Sequence, residues 1–321
     1  MWIRIVCALI LTQVGLAAAA DSRYPNRPIR LIVGFPAGST DDYNARVIGP
    51  KLTERLGQPV IVDNRSGASG HLAAELAAHA SPDGYTLMLA GTLTLASSVT
   101  LYPKLGYDLL NDFAYVSTVS SGANVLMAHP SIPVRTFSEF VTLVRTKPAS
   151  VRYGSAGLAS TGHLAMELLL GRIGAQVLHV PYKGGAGAAV ALAGGEVQLG
   201  FTSIPAGMPL IQSKRLTALA VTGPKRSAAL PDVPTVAESG YPGYDVRNIF
   251  GVFAPAGTAA SVVNLLSAEL RAIVATDDVK AKFASQGVDP VSSTPAEHKA
   301  LMEAEVKQWA RVVKDAKITL Q

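Results

Sequence analysis

From residue 28 onward, short runs of β-branched residues alternate with stretches in which apolar residues recur every three or four positions. This alternation is typical of strands and amphipathic helices in successive βα units, which build a largely parallel sheet. The fold class is therefore predicted to be α/β. The predicted strands cover residues 29–34, 59–63, 85–90, 151–154, 177–181, 197–201 and 216–222.

Helix ends are marked at several points along the chain. The helix after the first strand should end at Gly57, because glycine is favoured just beyond a helix C-terminus. Capping boxes, in which a threonine is followed three residues later by a glutamate, predict helix starts at Thr136 and Thr294. The last helix has an apolar face that we expect to pack on the core, formed by Met302, Val306, Trp309 and Val313.

Irregular stretches rich in glycine, proline and serine occur near residues 120–123 and 241–243 and bracket a second set of βα units. The tail from residue 250 onward is predicted to be strongly helical. We therefore expect the chain to cross from one lobe to another and to return. Lobe one would comprise residues 21–123 and 245–321, and lobe two residues 124–244. Two crossings make a hinge, as in proteins whose domains close on a ligand.

The N-terminus predicts export. Arg4 supplies a positive charge, an apolar run covers residues 5–16, and Ala18 to Ala20 offer a small-residue cleavage site, which together form a signal peptide of residues 1–20. The single cysteine, Cys7, lies inside this segment, so the mature chain should contain neither disulfides nor reactive thiols. No later segment reaches the roughly 18 apolar residues of a membrane span.

The charge balance excludes some partners. Without Arg4, 27 basic residues face 23 acidic ones, a net charge of +4 with no basic stripe and only 6% aromatic residues in the chain. We therefore expect no nucleic-acid partner, and modest positive charge suits a small anionic ligand. The motifs of serine hydrolases, zinc peptidases and phosphate loops are absent, and the six histidines lack metal-ligand spacing. We expect no enzyme activity, no metal and no cofactor.

The turn after the first predicted strand, residues 35–42, is rich in glycine and serine and leads directly into a helix. In α/β sheets ligands bind beyond the carboxyl ends of strands, where free backbone N–H groups and the helix dipole attract anions. Such a turn can hold a carboxylate without an arginine. The structural alternative is that Gly38 only makes the turn and Ser39 only caps the helix.

A second turn of the same kind, residues 155–163, opens a helix in the other predicted lobe. Two helix N-termini facing each other would grip both ends of one small anion. His163 lies in this turn, either as a donor to the ligand or as a structural histidine, and the sequence leaves both roles open. An exported hydrolase would need Ser39, Ser155 or Ser160 as nucleophile with a histidine and an acid, a pattern that the sequence does not display.

Eight motifs in order resemble the tripartite tricarboxylate transporter receptor family, also called the Bug family of bacterial periplasmic binding proteins. The resemblance covers nearly the whole mature chain. Its markers are YPxRPIRLIV from Tyr24, FPAGSTD from Phe35, NRSGASG from Asn64, PDGYTL from Pro82, HVPYKG from His179, LAVT from Leu219, LPDVPTVAESG from Leu230 and FAPAGT from Phe253.

This resemblance implies a two-lobe periplasmic binding protein of the Venus flytrap type (type II). It further implies a monomer in the periplasm that binds a di- or tricarboxylate or an aromatic acid and delivers it to the membrane permease of a secondary transporter. An alternative is a sensing subunit that signals to a membrane histidine kinase. On the family pattern the ligand-binding residues would be Phe35, Ala37, Gly38, Ser39, Thr40, Gly91 and Thr92 in lobe one, and Ser160, Thr161, His163 and Thr202 in lobe two.

The sequence departs from the family pattern at two places. Thr202 stands where relatives commonly carry an aspartate, which would pair with a ligand ammonium group, so we hypothesise that amino acids bind poorly and plain carboxylates are preferred. Asp41 and Asp42 lie close to the predicted anion site. We expect both to point along the helix and cap it, because acids are favoured in the first turn.

Overall fold

The computed structural model describes residues 24–315 and residue 318, so the predicted signal peptide lies outside the described part of the chain. The strands are β1 Ile29–Val33, β2 Val60–Asn64, β3 Thr86–Gly91, β4 Phe113–Ala128, β5 Arg152–Ser155, β6 Leu178–Pro181, β7 Leu199–Ser203, β8 Thr217–Val221, β9 Arg247–Pro255 and β10 Val288–Pro290. The helices are α1 Thr40–Leu56, α2 His71–Ala78, α3 Thr92–Leu101, α4 Phe137–Thr146, α5 Thr161–Ile173, α6 Gly185–Ala193, α7 Ile204–Gln212, α8 Ala260–Val274, α9 Asp277–Ser285 and α10 Pro295–Asp315, with short 3₁₀ turns at Ala68–Gly70 and Pro148–Ser150.

The strands form two sheets that share the long strand β4. In the first sheet β1 pairs in parallel with β2 and β3, while β9 pairs antiparallel with β3 and β4. In the second sheet β5 pairs in parallel with β6 and β7, while β7 and β8 pair antiparallel with β4. Each sheet is the core of one lobe, so the α/β fold with two lobes is confirmed. The βα units are parallel as predicted, and the strands that join the lobes are antiparallel.

Two predictions about the joining segments were wrong. Residues 120–123 are not an irregular linker but the middle of β4, and the helical tail begins only after β9, which covers Arg247–Pro255. Buried serines, among them Ser117 and Ser120, give β4 a polar sequence although the strand lies inside the protein. A strand buried on both faces shows no alternation of apolar and polar residues, so its sequence did not indicate a strand.

The two passages between the lobes run side by side. Ala123 of β4 pairs with Arg247 of β9, and Thr222 bridges the passages on the side of the second sheet. Its hydroxyl accepts a hydrogen bond from the Asn124 N–H (2.9 Å) and donates one to the Val246 carbonyl (2.6 Å). Paired strands at a crossing let the two lobes rotate about one line, which is the geometry of a hinge. The division of the lobes at residues 124 and 244 stays a prediction.

Predicted helix boundaries agree with the structure. Helix α1 ends at Gly57, whose φ of 69° is in the left-handed region that glycine adopts without strain. Thr136 and Glu139 form the predicted capping box, and Glu297 accepts from the Thr294 N–H at the start of α10. Each sheet is covered by helices on both faces, and the apolar face of α10 packs into the core as predicted. Among the described residues, no helix is long and apolar enough to cross a membrane.

Candidate functional site

The loop between β1 and α1 is fixed by hydrogen bonds around Asp42. The Asp42 N–H donates to the Oγ of Ser39, the N-cap of α1 (3.2 Å), and the Asp42 carboxylate accepts from the Gly38 N–H (3.0 Å). The same carboxylate accepts from Arg46 Nε (2.9 Å) and from Asn64 Nδ2 (3.0 Å). Burial alone would raise the pKa of Asp42, but these hydrogen bonds outweigh it and hold the pKa below its ordinary value. The turn is therefore rigid while Asp42 is ionised.

The loop between β5 and α5 is fixed by neutral groups instead. Ser160 is the N-cap of α5, and its hydroxyl donates to the Gly157 carbonyl (2.7 Å). His163 Nδ1 accepts the Ala159 N–H (3.1 Å), and its ring stacks on His179 with 4.2 Å between the ring centroids. Burial lowers the pKa of His163 to about 4, and burial together with His163 lowers that of His179 to about 3. Both rings are neutral near pH 7.

Between these loops lies a cavity with about 620 Å³ of atom-free space, part of it open to solvent. The lining comes from both sheets and from both passages between the lobes. It consists of Phe35, Ser39, Thr40, Asp41, Thr94, Gly122, Ala123, Asn124, Ala156, Ser160, Thr161, Gly162, Gly185, Phe201, Thr202, Ser203, Pro205, Asn248 and Phe250.

Five helices begin at this cavity, and their first-turn residues belong to the lining. Thr40 opens α1, Thr94 is in the first turn of α3, Thr161 opens α5, Gly185 opens α6 and Pro205 is the second residue of α7. A helix N-terminus carries unpaired N–H groups and a partial positive charge, and both favour an anion. No lysine, arginine or histidine occurs among the lining residues that the structure describes. The site is therefore electropositive through its backbone and not through cationic side chains.

Six of the eleven predicted ligand-binding residues line the cavity: Phe35, Ser39, Thr40, Ser160, Thr161 and Thr202. The structure does not bring the other five to its wall: Ala37, Gly38, Gly91, Thr92 and His163. Ala37 is exposed, and Gly38 lies in a separate shallow depression with Arg46. The ligand contacts themselves stay a prediction.

Gly91, Thr92 and His163 lie outside the lining for identifiable reasons. The Thr92 side chain is fully buried beside Glu305 of α10, where burial raises the pKa of Glu305 to about 7 and the Thr92 hydroxyl opposes that rise. The Gly91 N–H lies close to the carboxyl of Asp41 and stabilises its charge. The imidazole of His163 is held inside lobe two by the hydrogen bond from the Ala159 N–H and by the stack on His179. This packing gives His163 a structural role, and its contact with a ligand stays a prediction.

Sequence reasoning missed several lining residues. Asn124 and Asn248 are nearly buried polar residues at the two crossings, in strands that the sequence did not predict. Asn248 Oδ1 accepts the Leu93 N–H (3.2 Å), which fixes the side chain at the start of α3 and leaves its NH₂ group as a donor. Asp42 caps α1 as expected, whereas Asp41 lines the cavity, so the expectation that both acids only cap the helix was wrong.

Known proteins share this architecture. A model of the tripartite tricarboxylate transporter family receptor matches residues 44–318. BugT of Bordetella pertussis is 36% identical over 313 residues, which cover 97% of this chain and 96% of BugT. A solved R. palustris protein with adipate has a TM-score of 0.89 at 36% identity, covering 92% of this chain and 99% of its own.

MatC from Rhodopseudomonas palustris, solved with bound malate, has a TM-score of 0.85 at 31% identity. The match covers 90% of this chain and all of the MatC chain, a share of 100%. The family model, the sequence relatives and the solved structures agree with the two-lobe fold. The chain belongs to the tripartite tricarboxylate transporter receptor family of periplasmic solute-binding proteins, the Bug family.

Proposed function

We propose that this protein is a receptor that binds a small carboxylate anion between its two lobes and releases it unchanged. One observation carries the proposal: five helix N-termini meet at a cavity whose described lining contains no basic side chain. Backbone N–H groups recognise the carboxylate group itself and leave the rest of the ligand to be selected by other contacts. Three aromatic side chains, Phe35, Phe201 and Phe250, offer apolar surface to a carbon chain.

The energies support binding in the range expected of a receptor. A hydrogen bond to a charged group contributes about 1.5 to 3 kcal/mol, so four or five of them reach the roughly 8 kcal/mol of micromolar affinity. Part of that energy offsets lobe closure and the lost freedom of the ligand. Helices of both lobes begin at the cavity, so a ligand that contacts the two lobes at once favours the closed arrangement in which the lobes lie closer together. The relatives that were solved with adipate and with malate support a small carboxylate as the ligand.

We further propose that the protein works in the periplasm as a monomer and passes its ligand to the permease subunits of a tripartite transporter. Family membership supports this delivery role. A hydrolase is not favoured: Ser155 Oγ lies 2.7 Å from His179 Nε2, but Ser155 is fully buried and its hydroxyl is also hydrogen-bonded to the Gly157 carbonyl. A nucleophile must reach its substrate, and this serine cannot.

The test is calorimetric titration of the mature protein, purified under denaturing conditions and refolded, with mono-, di- and tricarboxylates of two to eight carbons and with aromatic acids. We expect at least one acid to bind with a dissociation constant near or below about 10 μM, a value typical of several charged hydrogen bonds. Thr161→Val should weaken that binding because it changes the first residue of α5 at the cavity. The same substitution at Thr142, which is exposed on α4, is the matched control. Binding of amines or sugars but of no carboxylate would overturn the proposal.

A further inference from the structure

Asp41 stands out among the residues of the cavity. It is the second residue of α1, is 6% exposed, and is the one ionisable side chain in the lining that the structure describes. Its carboxyl lies near the N–H of Gly91, at the start of α3, and it shares the cavity wall with Thr94 and Asn248. Asp41 makes no ion pair with a basic side chain of the described residues. A buried acid without a cation is costly unless something else compensates it.

The neighbouring Asp42 shows what compensation looks like. Its carboxylate accepts hydrogen bonds from Arg46, Asn64 and Gly38, which lower its pKa. For Asp41 burial is the largest effect and raises the pKa to about 7, with the charge of Asp42 adding to the rise and the N–H groups of Asp41 and Gly91 opposing it. Two adjacent acids in one helical turn therefore differ: Asp42 is satisfied within the protein, and Asp41 is satisfied only in part.

The position of Asp41 changes what the cavity can accept. Because Asp41 lines the cavity together with Thr94 of the first turn of α3, and the Gly91 N–H opposes the rise of its pKa, the N-terminus of α3 already faces a carboxylate that belongs to the protein. The helix starts at Thr40, Thr161, Gly185 and Pro205 remain for the carboxylate of a ligand. A second ligand carboxylate next to Asp41 would place two like charges together, whereas a hydroxyl or ammonium group there would donate a hydrogen bond.

We propose that Asp41 determines ligand specificity, so that the receptor prefers a small carboxylate that carries a hydrogen-bond donor, a hydroxyl or an ammonium group, facing Asp41. This inference rests on the proposed function. It also revises the hypothesis drawn from Thr202: the neutral residue removes an acid from lobe two, but Asp41 supplies an acid from lobe one. The plain acid of the same carbon skeleton is then the disfavoured ligand, because it leaves Asp41 without a partner.

The experiment compares three acids with one carbon skeleton, the skeleton of the carboxylate that binds most tightly. They are the plain acid, its 2-hydroxy derivative and its 2-amino derivative, and the two derivatives are measured as both enantiomers. For a four-carbon skeleton these are succinate, malate and aspartate. At pH 8.5, where Asp41 is ionised, a donor-bearing acid should bind at least about tenfold more tightly than the plain acid, the size expected of one charged hydrogen bond. The hydroxy and amino members distinguish the two kinds of donor.

Asp41→Asn removes the charge and keeps the shape. It should reduce the preference for the donor-bearing acid to within about threefold and strengthen binding of the plain acid, because the like charge is gone. Asp277→Asn is the matched control: Asp277 is also in the first turn of its helix, α9, but its side chain is fully exposed. Its substitution should leave all three affinities unchanged.

The wild-type protein provides a second test that needs no variant. As pH falls from 8.5 to 5.5, Asp41 takes up a proton and becomes a hydrogen-bond donor. The preference for the donor-bearing acid should therefore fall, and the plain acid should bind more tightly. Among the described residues, the charge that acts on Asp41 is that of Asp42 on its own helix, which Arg46 compensates, while α3 and β9 present Thr94 and Asn248. Glu305 of α10, whose pKa is raised to about 7, lies beyond Thr92 of α3. Near pH 7 binding of the amino acid should release protons and binding of the plain acid should take them up, which calorimetry in buffers of different ionisation enthalpy measures.

The outcomes separate the two proposals. If no carboxylate binds, the proposed function fails. If carboxylates bind but the plain acid is at least as tight as its derivatives, and neither Asp41→Asn nor pH changes the ratio, the specificity inference is overturned and the proposed function stands. If Asp41→Asn does not fold, as judged by thermal unfolding without ligand, the pH dependence of the wild-type ratio decides, and a constant ratio overturns the inference.

Discussion

The loop of residues 35–42 (loop one) and the loop of residues 155–163 (loop two) both follow a strand, both contain the serine N-cap of a helix, and both present the first turn of that helix to the same cavity. They differ in what holds them. Loop one is fixed by the ionised Asp42, whose carboxylate is bound by Arg46, Asn64 and the Gly38 N–H. Loop two is fixed by the neutral His163, which accepts the Ala159 N–H and stacks on His179.

The same backbone geometry therefore rests on opposite charge requirements in the two loops. Loop one needs a group that has lost its proton, and loop two needs groups that have not gained one. Both conditions hold at pH values above the pKa of His163, about 4, because Asp42 is then ionised and His163 and His179 are neutral.

Gly162→Ala should be the most damaging substitution for loop two. A Cβ at residue 162 would lie 2.3 Å from the Phe201 carbonyl oxygen of β7, so the start of α5 would have to move away from the sheet. We expect a loss of about 3 kcal/mol in the free energy of unfolding, the upper range for overpacking, and a marked loss of carboxylate affinity. Urea denaturation and calorimetry measure the two effects.

The same helix provides the control. Gly171 is an exposed residue of α5, and a Cβ there would meet nothing within 4 Å. Gly171→Ala should therefore stabilise the protein by about 0.5 to 1 kcal/mol, because alanine loses less backbone entropy in a helix than glycine does. Equal effects of the two substitutions would contradict the close packing of α5 against β7.

Asp42→Ala tests the charged network of loop one. It removes the acceptor of Arg46, Asn64 and the Gly38 N–H at a side chain that is only 4% exposed. We expect the free energy of unfolding to fall by about 2 to 3 kcal/mol, as for a buried group that loses its charged partner. Arg46→Ala, at a side chain that is 57% exposed, should cost only about 0.5 kcal/mol. A large loss of affinity with unchanged stability would instead mean that Asp42 contacts the ligand.

The pH dependence of stability tests the neutral network of loop two. The folded-state pKa of His163, about 4, is below its ordinary value of 6.5, so protons favour the unfolded chain and stability falls as pH drops from about 6.5 toward 4. His71 and His298 have lowered pKa values for the same reason and add to the slope. His163→Asn keeps an acceptor for the Ala159 N–H and cannot titrate, so its slope should be shallower than that of the wild type. Parallel slopes in thermal unfolding would exclude a contribution from His163.

The sequence predicted the two loops, but it did not predict which of their side chains face the cavity, and the reason is physical. The turns at residues 35–42 and 155–163 were predicted because strand, turn and N-cap are local features. The direction of a side chain depends on which element packs beside it: Asp41 faces the cavity because α3 starts next to it, and Thr92 is covered by α10. Asn124 and Asn248 were missed because their strands cross between the lobes and are buried, so their sequences do not alternate.

Ser69→Ala probes the contact between the two sides and should have the smallest effect. Ser69 Oγ donates a hydrogen bond to the carbonyl of Leu158 (2.6 Å), which joins the 3₁₀ turn after β2 to the second loop. Ser69 has a φ of 53°, a conformation that is unfavourable outside glycine and that packing must stabilise.

Removing this hydrogen bond should shift the balance between closed and open lobes by about 1 kcal/mol, which weakens ligand binding about fivefold and leaves the free energy of unfolding of each lobe nearly unchanged. Ser213→Ala is the control, because the Ser213 hydroxyl bonds to the Pro209 carbonyl (2.8 Å) within lobe two. Calorimetry gives the affinities, and small-angle X-ray scattering without ligand should detect a larger radius of gyration for Ser69→Ala only. Unchanged affinity and radius would mean that the lobes close without this hydrogen bond, and that the two loops meet only through the ligand.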